Sequence, residues 1–307
     1  MKKYDCFVIG GGPAGMTAAL YLLRSGVTVA MAEKLTPGGQ VLQTEEVENY
    51  PGFPKGIKGY ELADVFAEHL EGYELDRYTE PVTSLQHAHG ANKLKVGDQE
   101  IIARSIIICT GARYKKLGLP NEEFLTGKGV SYCALCDGNF FRNQTVAVVG
   151  GGNSALEESL YLAKLVKKLY LIHRREGFRA AKYYQDKIKA SPVIEIVKNT
   201  IVKELHGENG LTGVLVKNLK TEKEEVVPVD GLFVFVGYEP NKELLPEGLQ
   251  TDEIGFILTD IEMRTNLPGI FAAGDCRAKQ CRQVTTAVGD GATAANSAFL
   301  YLEQLNA

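Results

Sequence analysis

The stretch YDCFVIGGGPAGMTAALYLLRSG, Tyr4 to Gly26, decides the fold. It reads as a short apolar strand, a glycine turn and an Ala/Leu-rich helix closed by Gly26. Gly10, Gly12 and Gly15 permit a tight turn, close approach of backbone to a pyrophosphate, and close packing of helix on strand. The helix N-terminus then offers unpaired N–H groups and a positive dipole end to phosphate. The next strand, in VAMAEK, ends on Glu33, whose carboxylate can accept from ribose hydroxyls. A glycine turn alone is a weak signal, but strand, helix and an acid at this distance together read as a dinucleotide site.

The same grammar returns in QTVAVVGGGNSALEESLYLAKLVKKLYLIHRR. Gly150, Gly152 and Ala155 take the places of the first three glycines, and Gly150 to His173 spans 23 positions, as does Gly10 to Glu33. The chain is therefore duplicated in architecture. At the end of its second strand this unit presents His173, Arg174 and Arg175 where the first has Glu33, so acid has become base. A short charge run is often only a solvated face, but after LYLI two guanidiniums can bind a 2′-phosphate bidentately, which reads as NADP(H) over NAD.

The 307 residues are 45% hydrophobic and 23% charged, ordinary for a globular chain of two domains. A net charge of −4 argues against a basic nucleic-acid face, so no nucleic-acid partner is expected. No apolar run approaches the roughly 18 residues of a membrane span, and MKKYDCFVIGGG runs straight into a strand and a glycine turn, so a cytoplasmic chain without membrane contact is expected. YKKLGLP and GYEPNKELLPEG have linker composition and bracket the second nucleotide unit. TIVKELHGENGLTGVLVKN reads as a hairpin turning at Asn209-Gly210. The segment from about 246 onward holds a buried strand, an acidic turn and a final helix that return to complete the first domain. The fold class expected is α/β with two Rossmann-like domains: one discontinuous, at 1–114 and 246–307, the other inserted at 115–245.

Six cysteines in such a chain do not make a disulfide scaffold. In GVSYCALCDGNFF, Cys133 and Cys136 admit three readings: a redox pair, half of a zinc site completed by Cys276 and Cys281, or two structural thiols. The C-x₄-C spacing of Cys276 and Cys281 is untypical of zinc, and no metal is expected. In a C-x-x-C one thiolate attacks an external disulfide and the other resolves the product, while Asp137 either shuttles a proton or simply forms an Asp-Gly turn. NADP(H) donates hydride and a disulfide accepts two electrons as thiolates, with a flavin as the usual intermediary, so the first site should hold FAD. Cys6 and Cys109 read as small buried hydrophobes, Cys281 as a small core residue in preference to one that alters flavin packing, and His69, His87, His89 and His206 as solvated histidines.

GGGPAG, GGQ, TEEVENYPGFP, CALCDG, GGGNSA, HRREGFRA, GIFAAGDC and RQVTTAVGDGATAA span the chain. On these motifs the sequence resembles the low-molecular-weight thioredoxin reductases of the pyridine nucleotide-disulfide oxidoreductase family. The resemblance implies FAD in the discontinuous domain, NADPH in the inserted one, thioredoxin or a thioredoxin-like protein as substrate, a homodimer, and domain rotation between half-reactions. It implies Cys136 against the flavin, Cys133 as the attacking sulfur and Asp137 as the acid. It implies an FAD site of Gly10, Gly12, Pro13, Ala14, Gly15, Glu33, Gly39, Gln40, Thr44, Asn49, Thr110, Gly111, Gly274, Asp275, Arg282, Gln283 and Val284, with Asp275 on the ribityl-phosphate part. For NADPH it implies Gly150, Gly152, Asn153, Ser154, Ala155, His173, Arg174, Arg175 and Arg179. The chain departs from the family pattern at Asn153, where Asp is usual, and at Glu176 to Phe178, EGF in place of DEF. A dithiol oxidase of the same family would be expected to have lost the arginine cluster, and a redox sensor needs no second nucleotide site.

Overall fold

The run CFVI has no polar alternation, so its strand must be covered on both faces, and Lys2–Ile9 ends in four buried residues at the centre of a seven-stranded sheet. In this computed structural model every residue is described except Thr44, Glu45, Glu48 and Glu243, with only the backbone of Gln43 and Glu46. Lys2–Ile9 lies between the parallel strands Val29–Ala32 and Gln99–Ile108; Leu75–Tyr78 extends the sheet beyond Val29–Ala32, and Ile270–Ala272 pairs with Gln99–Ile108. The hairpin Val82–Gln86 and Asn92–Val96 completes it in antiparallel sense. Register aligns the strand ends: Ile9 stands beside Ala32 and Ile108, and Ile108 beside Ala272.

The helix Pro13–Arg24 follows at once, with Pro13 in its first turn and Gly26 at positive φ just past its end. Its small residues Ala14, Ala18 and Ala19 pack against Gly291, Ala294, Ala295 and Ala298 of the C-terminal helix Val284–Asn306. The approach is close enough that a Cβ on Gly291 would lie 2.3 Å from the Ala14 carbonyl oxygen.

In the second unit a five-stranded parallel sheet runs in the order Val130–Ser131, Gly231–Phe235, Thr145–Gly150, Lys168–His173, Ile194–Lys198. The helices Asn153–Leu162 and Lys182–Ala190 pack with its core. A three-stranded antiparallel sheet, Thr200–His206, Gly213–Asn218 and Glu224–Pro228, carries the expected hairpin. Asn209-Gly210 is not a two-residue turn, however. It lies in a loop from 207 to 212 in which Gly207, not Asn209, takes positive φ.

The units comprise Met1–Arg113 with Glu239–Ala307, and Tyr114–Tyr238. At the crossings Ala112–Tyr114 and Tyr238–Pro240 pair as a two-stranded sheet. The return precedes residue 246 because Asn241 Nδ2 donates to the Thr110 carbonyl at 2.6 Å, and Leu244, Leu245 and Leu249 pack on the first unit's core. YKKLGLP, linker-like in composition, is anchored: the N–H groups of Leu117, Gly118 and Leu119 donate to the carboxylate of Glu122, which is 2% exposed and also accepts from Tyr132 Oη at 2.7 Å. Cys6, Cys109 and Cys276 are buried, but Cys281 is exposed, which corrects its reading as a core residue: it lies on the segment leading into the C-terminal helix, outside the packed face.

Gly291→Ala should lower stability by about 1–3 kcal/mol, since the added methyl meets backbone and cannot be relieved by a rotamer change. Urea unfolding followed by circular dichroism measures this, and an unchanged midpoint would mean that the helices separate without cost.

Candidate functional site

In the first unit the residues expected to hold a dinucleotide leave the aligned carboxyl ends of four strands: Gly10 after Ile9, Glu33 after Ala32, Thr110 just after Ile108, and Gly274-Asp275 just after Ala272. A parallel sheet binds ligands at this edge because every strand there turns outward together. Gly10, at positive φ, donates its N–H to Ala32 O at 2.8 Å, and a Cβ on Gly15 would lie 1.9 Å from Gly10 O. Only glycine at both positions lets the helix start so near the strand. Gly12 caps the helix in extended conformation without a side-chain hydrogen bond, so the first-turn N–H groups remain available to an anion. Glu33 Oε2 accepts from Gly11 N at 2.8 Å and Oε1 from Leu35 N at 3.1 Å, which fixes the carboxylate beside the turn.

Gly39 comes within 3.3 Å of Gly12 Cα if given a Cβ, and Gln40 Nε2 donates to Ala112 O. Asn49 Nδ2 donates to Gln283 Oε1 at 3.1 Å, joining two expected residues 234 positions apart. Gln283 caps the C-terminal helix, and Val284 packs with Val41, Val47 and Leu62. Thr44 lies outside the described residues. Thr110 Oγ1 and Asp275 Oδ1 are buried with no hydrogen-bond partner among the described residues, while Gly111 turns at positive φ. Burial pushes the Asp275 carboxyl up from its ordinary value, opposed by the charges of Lys279 and Arg282. Arg282 spans the turn, with its guanidinium 4.1 Å from the Phe256 ring centre and Nη2 donating to Arg277 O at 3.3 Å. A hydroxyl and a carboxylate oxygen left bare in a buried place suit a polyol that can donate to one and bond the other.

In the second unit Gly150 and Ala155 repeat the close packing, with 2.4 Å between a Cβ on Gly150 and that of Ala155. Gly152 caps the helix Asn153–Leu162 in extended conformation with open space before it. His173 is buried with its ring against Gly151, where a Cβ would lie 2.1 Å away, and its Nε2 is 3.1 Å from Gly177 O. Burial first, and Arg175 and Arg174 further, lower its pKa from the ordinary imidazole value, so it is a neutral prop under the glycine turn. Asn153 Oδ1 accepts from Ala181 N at 2.8 Å and Arg179 N donates to Gly151 O at 2.8 Å, tying the 174–181 segment to the glycine turn. Ser154 is exposed on the first turn of the helix. The guanidiniums of Arg174, Arg175 and Arg179 are exposed and make no ion pair or hydrogen bond among the described residues. Glu176, their neighbour, is instead held by Lys220, Asn199 and Lys198, which bring its carboxyl down to about 2. Glu176 is thereby engaged away from the adjacent arginines.

Cys133 and Cys136 form a disulfide across the four-residue helix Ala134–Asp137, with Cα atoms 5.3 Å apart. This removes the reading as half a metal site. Both cysteines are half-buried, and Cys136 N donates to Cys133 Sγ at 3.2 Å. Ser131, 4% exposed, organises the motif: its Oγ donates to Asp137 Oδ2 at 2.6 Å and accepts from Cys133 N at 3.1 Å. Sequence reasoning passed over Ser131, whose only signal is its place two residues before the first cysteine.

The model of the pyridine nucleotide-disulphide oxidoreductase family matches residues 4–291. Thioredoxin reductase of Listeria innocua is 44% identical over 306 residues, 99% of this chain and 95% of its own length, and that of Bacillus subtilis 42% identical over 305 residues, 99% and 96%. Among solved structures, thioredoxin reductase from Streptococcus pyogenes superposes with a TM-score of 0.85 at 44% identity, covering 98% of this chain and 99% of that one. The Lactococcus lactis enzyme, in what is described as its FR conformation, gives 0.75 at 44% identity over 98% and 99%. Matched along nearly its whole length by model, sequence and structure, the chain belongs to the pyridine nucleotide-disulphide oxidoreductase family, among its thioredoxin reductases.

Proposed function

We propose that the protein reduces the disulfide of thioredoxin or a thioredoxin-like protein at the expense of NADPH, with FAD in the first unit, NADPH in the second, and Cys133 and Cys136 as the redox pair. The observation that carries this reading is the Cys133–Cys136 disulfide with Asp137 held beside it through Ser131, in a chain 42–44% identical to proteins named thioredoxin reductase. No helix among the described residues is long and apolar enough to cross a membrane, which suits a protein partner met in solution. The bare oxygens of Thr110 and Asp275 support FAD, and the exposed arginines that follow His173, with Arg179 N bonded to Gly151 O, support a 2′-phosphate. When bound, these cofactors supply hydride chemistry, two electrons per turnover.

The chain's own groups account for the remaining steps. In the reduced pair the Cys136 N–H stabilises a thiolate on Cys133. That sulfur attacks one sulfur of the thioredoxin disulfide, forming a mixed disulfide, and Asp137 gives a proton to the thiolate that leaves. Cys136 then attacks Cys133 Sγ, which re-forms the internal disulfide and releases the second thioredoxin thiol. We also infer that one unit turns on the other between half-reactions, about Ala112–Tyr114 and Tyr238–Pro240, and that the enzyme is a homodimer. Light scattering that gives the mass of a single chain would remove the dimer from this reading.

The purified protein should release FAD on acid extraction and oxidise NADPH when thioredoxin is added; colourless protein without turnover would overturn the reading. Cys133→Ser and Cys136→Ser should both abolish turnover, but only Cys136→Ser should trap thioredoxin lacking its resolving cysteine as a mixed disulfide, seen by non-reducing mass spectrometry. In that trapped complex NADPH should reduce the flavin at least as fast as in the free variant, and much slower reduction with NADPH bound would exclude the rotation.

Arg174→Ala with Arg175→Ala removes charge-assisted hydrogen bonds that contribute about 1.5–3 kcal/mol each, so kcat/KM for NADPH should fall about 10²-fold or more. The value for NADH should change far less, and equal losses would mean that the pair does not contact a 2′-phosphate.

Ser131→Ala should lower kcat with thioredoxin about tenfold, less than the ~10²-fold expected for Asp137→Asn, because it removes the bonds that orient Asp137 and the Cys133 N–H but keeps the acid itself. KM for thioredoxin should hold steady, and an unaltered kcat in both variants would leave Asp137 as a turn residue.

A further inference from the structure

Behind the turn at Gly274-Asp275 lies a buried group of charges contributed by the segment that follows the turn and by the C-terminal helix. Asp290 of the C-terminal helix, Arg277 and Lys279 have side chains 12%, 13% and 10% exposed. Asp290 Oδ1 accepts from Arg277 Nη1 at 2.9 Å; Oδ2 accepts from Lys279 Nζ at 2.9 Å and from the Gly274 N–H at 3.1 Å. Arg277 Nε also donates to Thr259 Oγ1 at 3.0 Å, and Lys279 Nζ to Thr286 Oγ1 at 3.1 Å. Asp275, the next acid, has its Oδ1 buried and without a hydrogen bond among the described residues, and Lys279 Nζ stands 3.7 Å from it.

Lys279 therefore lies between two carboxylates and is bonded to one. In a place this dry an ammonium follows the nearest full negative charge, because Coulomb attraction there exceeds its value in water several-fold. If Asp290 lost its charge, the attraction left to Lys279 would be Asp275 Oδ1, which a short side-chain movement brings within hydrogen-bond reach. That oxygen would then be taken.

We propose that Asp290 is a positioning residue of the FAD site: it fastens the Gly274-Asp275 turn to the C-terminal helix and holds Lys279 off Asp275, keeping Asp275 Oδ1 open to a hydroxyl of the cofactor's polyol chain. This rests on the reading of the first unit as the FAD site. The plainer alternative is a buried ion cluster that only fills space or stabilises the fold. The two differ in one respect: occlusion by Lys279 is reversed by removing Lys279, whereas lost stability is not.

The test uses the full chain stripped of flavin and titrated with FAD by quenching of flavin fluorescence, in wild type, Asp290→Asn, Lys279→Met and the double variant, with unfolding midpoints measured alongside. Asp290→Asn should weaken FAD binding at least tenfold, and adding Lys279→Met should recover most of that loss. The proposal is overturned if Asp290→Asn binds FAD like wild type, or if the double variant binds no better than Asp290→Asn. If Asp290→Asn alone does not fold, the comparison is made within Lys279→Met, where Asp290→Asn should cost less than about threefold in affinity, and a larger loss overturns the proposal. Wild-type apoprotein that takes up no FAD would instead overturn the reading of the unit itself.

Discussion

The contact of Gly15 with the Gly10 carbonyl, where a Cβ would stand 1.9 Å from the oxygen, sets the position of almost everything else in the first unit. It draws the start of the helix Pro13–Arg24 onto the end of the central strand, which fixes where the first-turn N–H groups point. The same helix is then near enough for Gly291 to meet Ala14, so the C-terminal helix, with Gln283 and Asp290, is brought over the strand ends. Residues near 10, 110 and 275 are neighbours through strand register, and small residues at Gly10, Ala14 and Gly274 let the turns after those strands approach closely.

The second unit uses the same contact between Gly150 and Ala155 but differs in charge. Glu33 is bonded to Gly11 and Leu35 and presents its carboxylate at the turn, whereas His173 at the equivalent position is buried beneath Gly151 as neutral support. The cations follow it, and Glu176 is drawn away from them by Lys198 and Lys220. The charge at the end of the second strand is thus separated from the geometry of the glycine turn. Each can change without disturbing the other.

The two glycine turns and the pairing of Cys133 with Cys136 were legible because each is a local pattern: strand, turn and helix follow within a few residues, and the two cysteines are three positions apart. Ser131 and Asp290 were not, since their roles depend on what meets them: the Asp137 carboxylate in one case, and cations and an N–H up to 16 positions away in the other. Composition also misled. YKKLGLP and the residues up to 246 have the look of connectors, yet Glu122 and Asn241 anchor them, and no propensity encodes a buried carboxylate that collects three backbone N–H groups. His173 had the right offset for a ligand contact, but its ring fills the space left by Gly151, a relation seen only once strand and turn are superposed.

The two strands at which the chain passes between units are paired with each other, so the polypeptide leaves the first unit and re-enters it at one spot. A segment with adjacent ends can be spliced into a loop of another protein without stretching its host, and this is the geometry in which inserted domains are tolerated. The seam is sharply placed. Cutting after Pro120 would separate Glu122 from its three N–H donors and leave, among the described residues, Tyr132 Oη as the donor to a carboxylate that is buried in the intact chain. The second compact unit begins at Tyr114 and ends at Tyr238. An ancestral nucleotide-binding segment acquired by its host as a single block would have had to carry that leading stretch with it, as part of its own core.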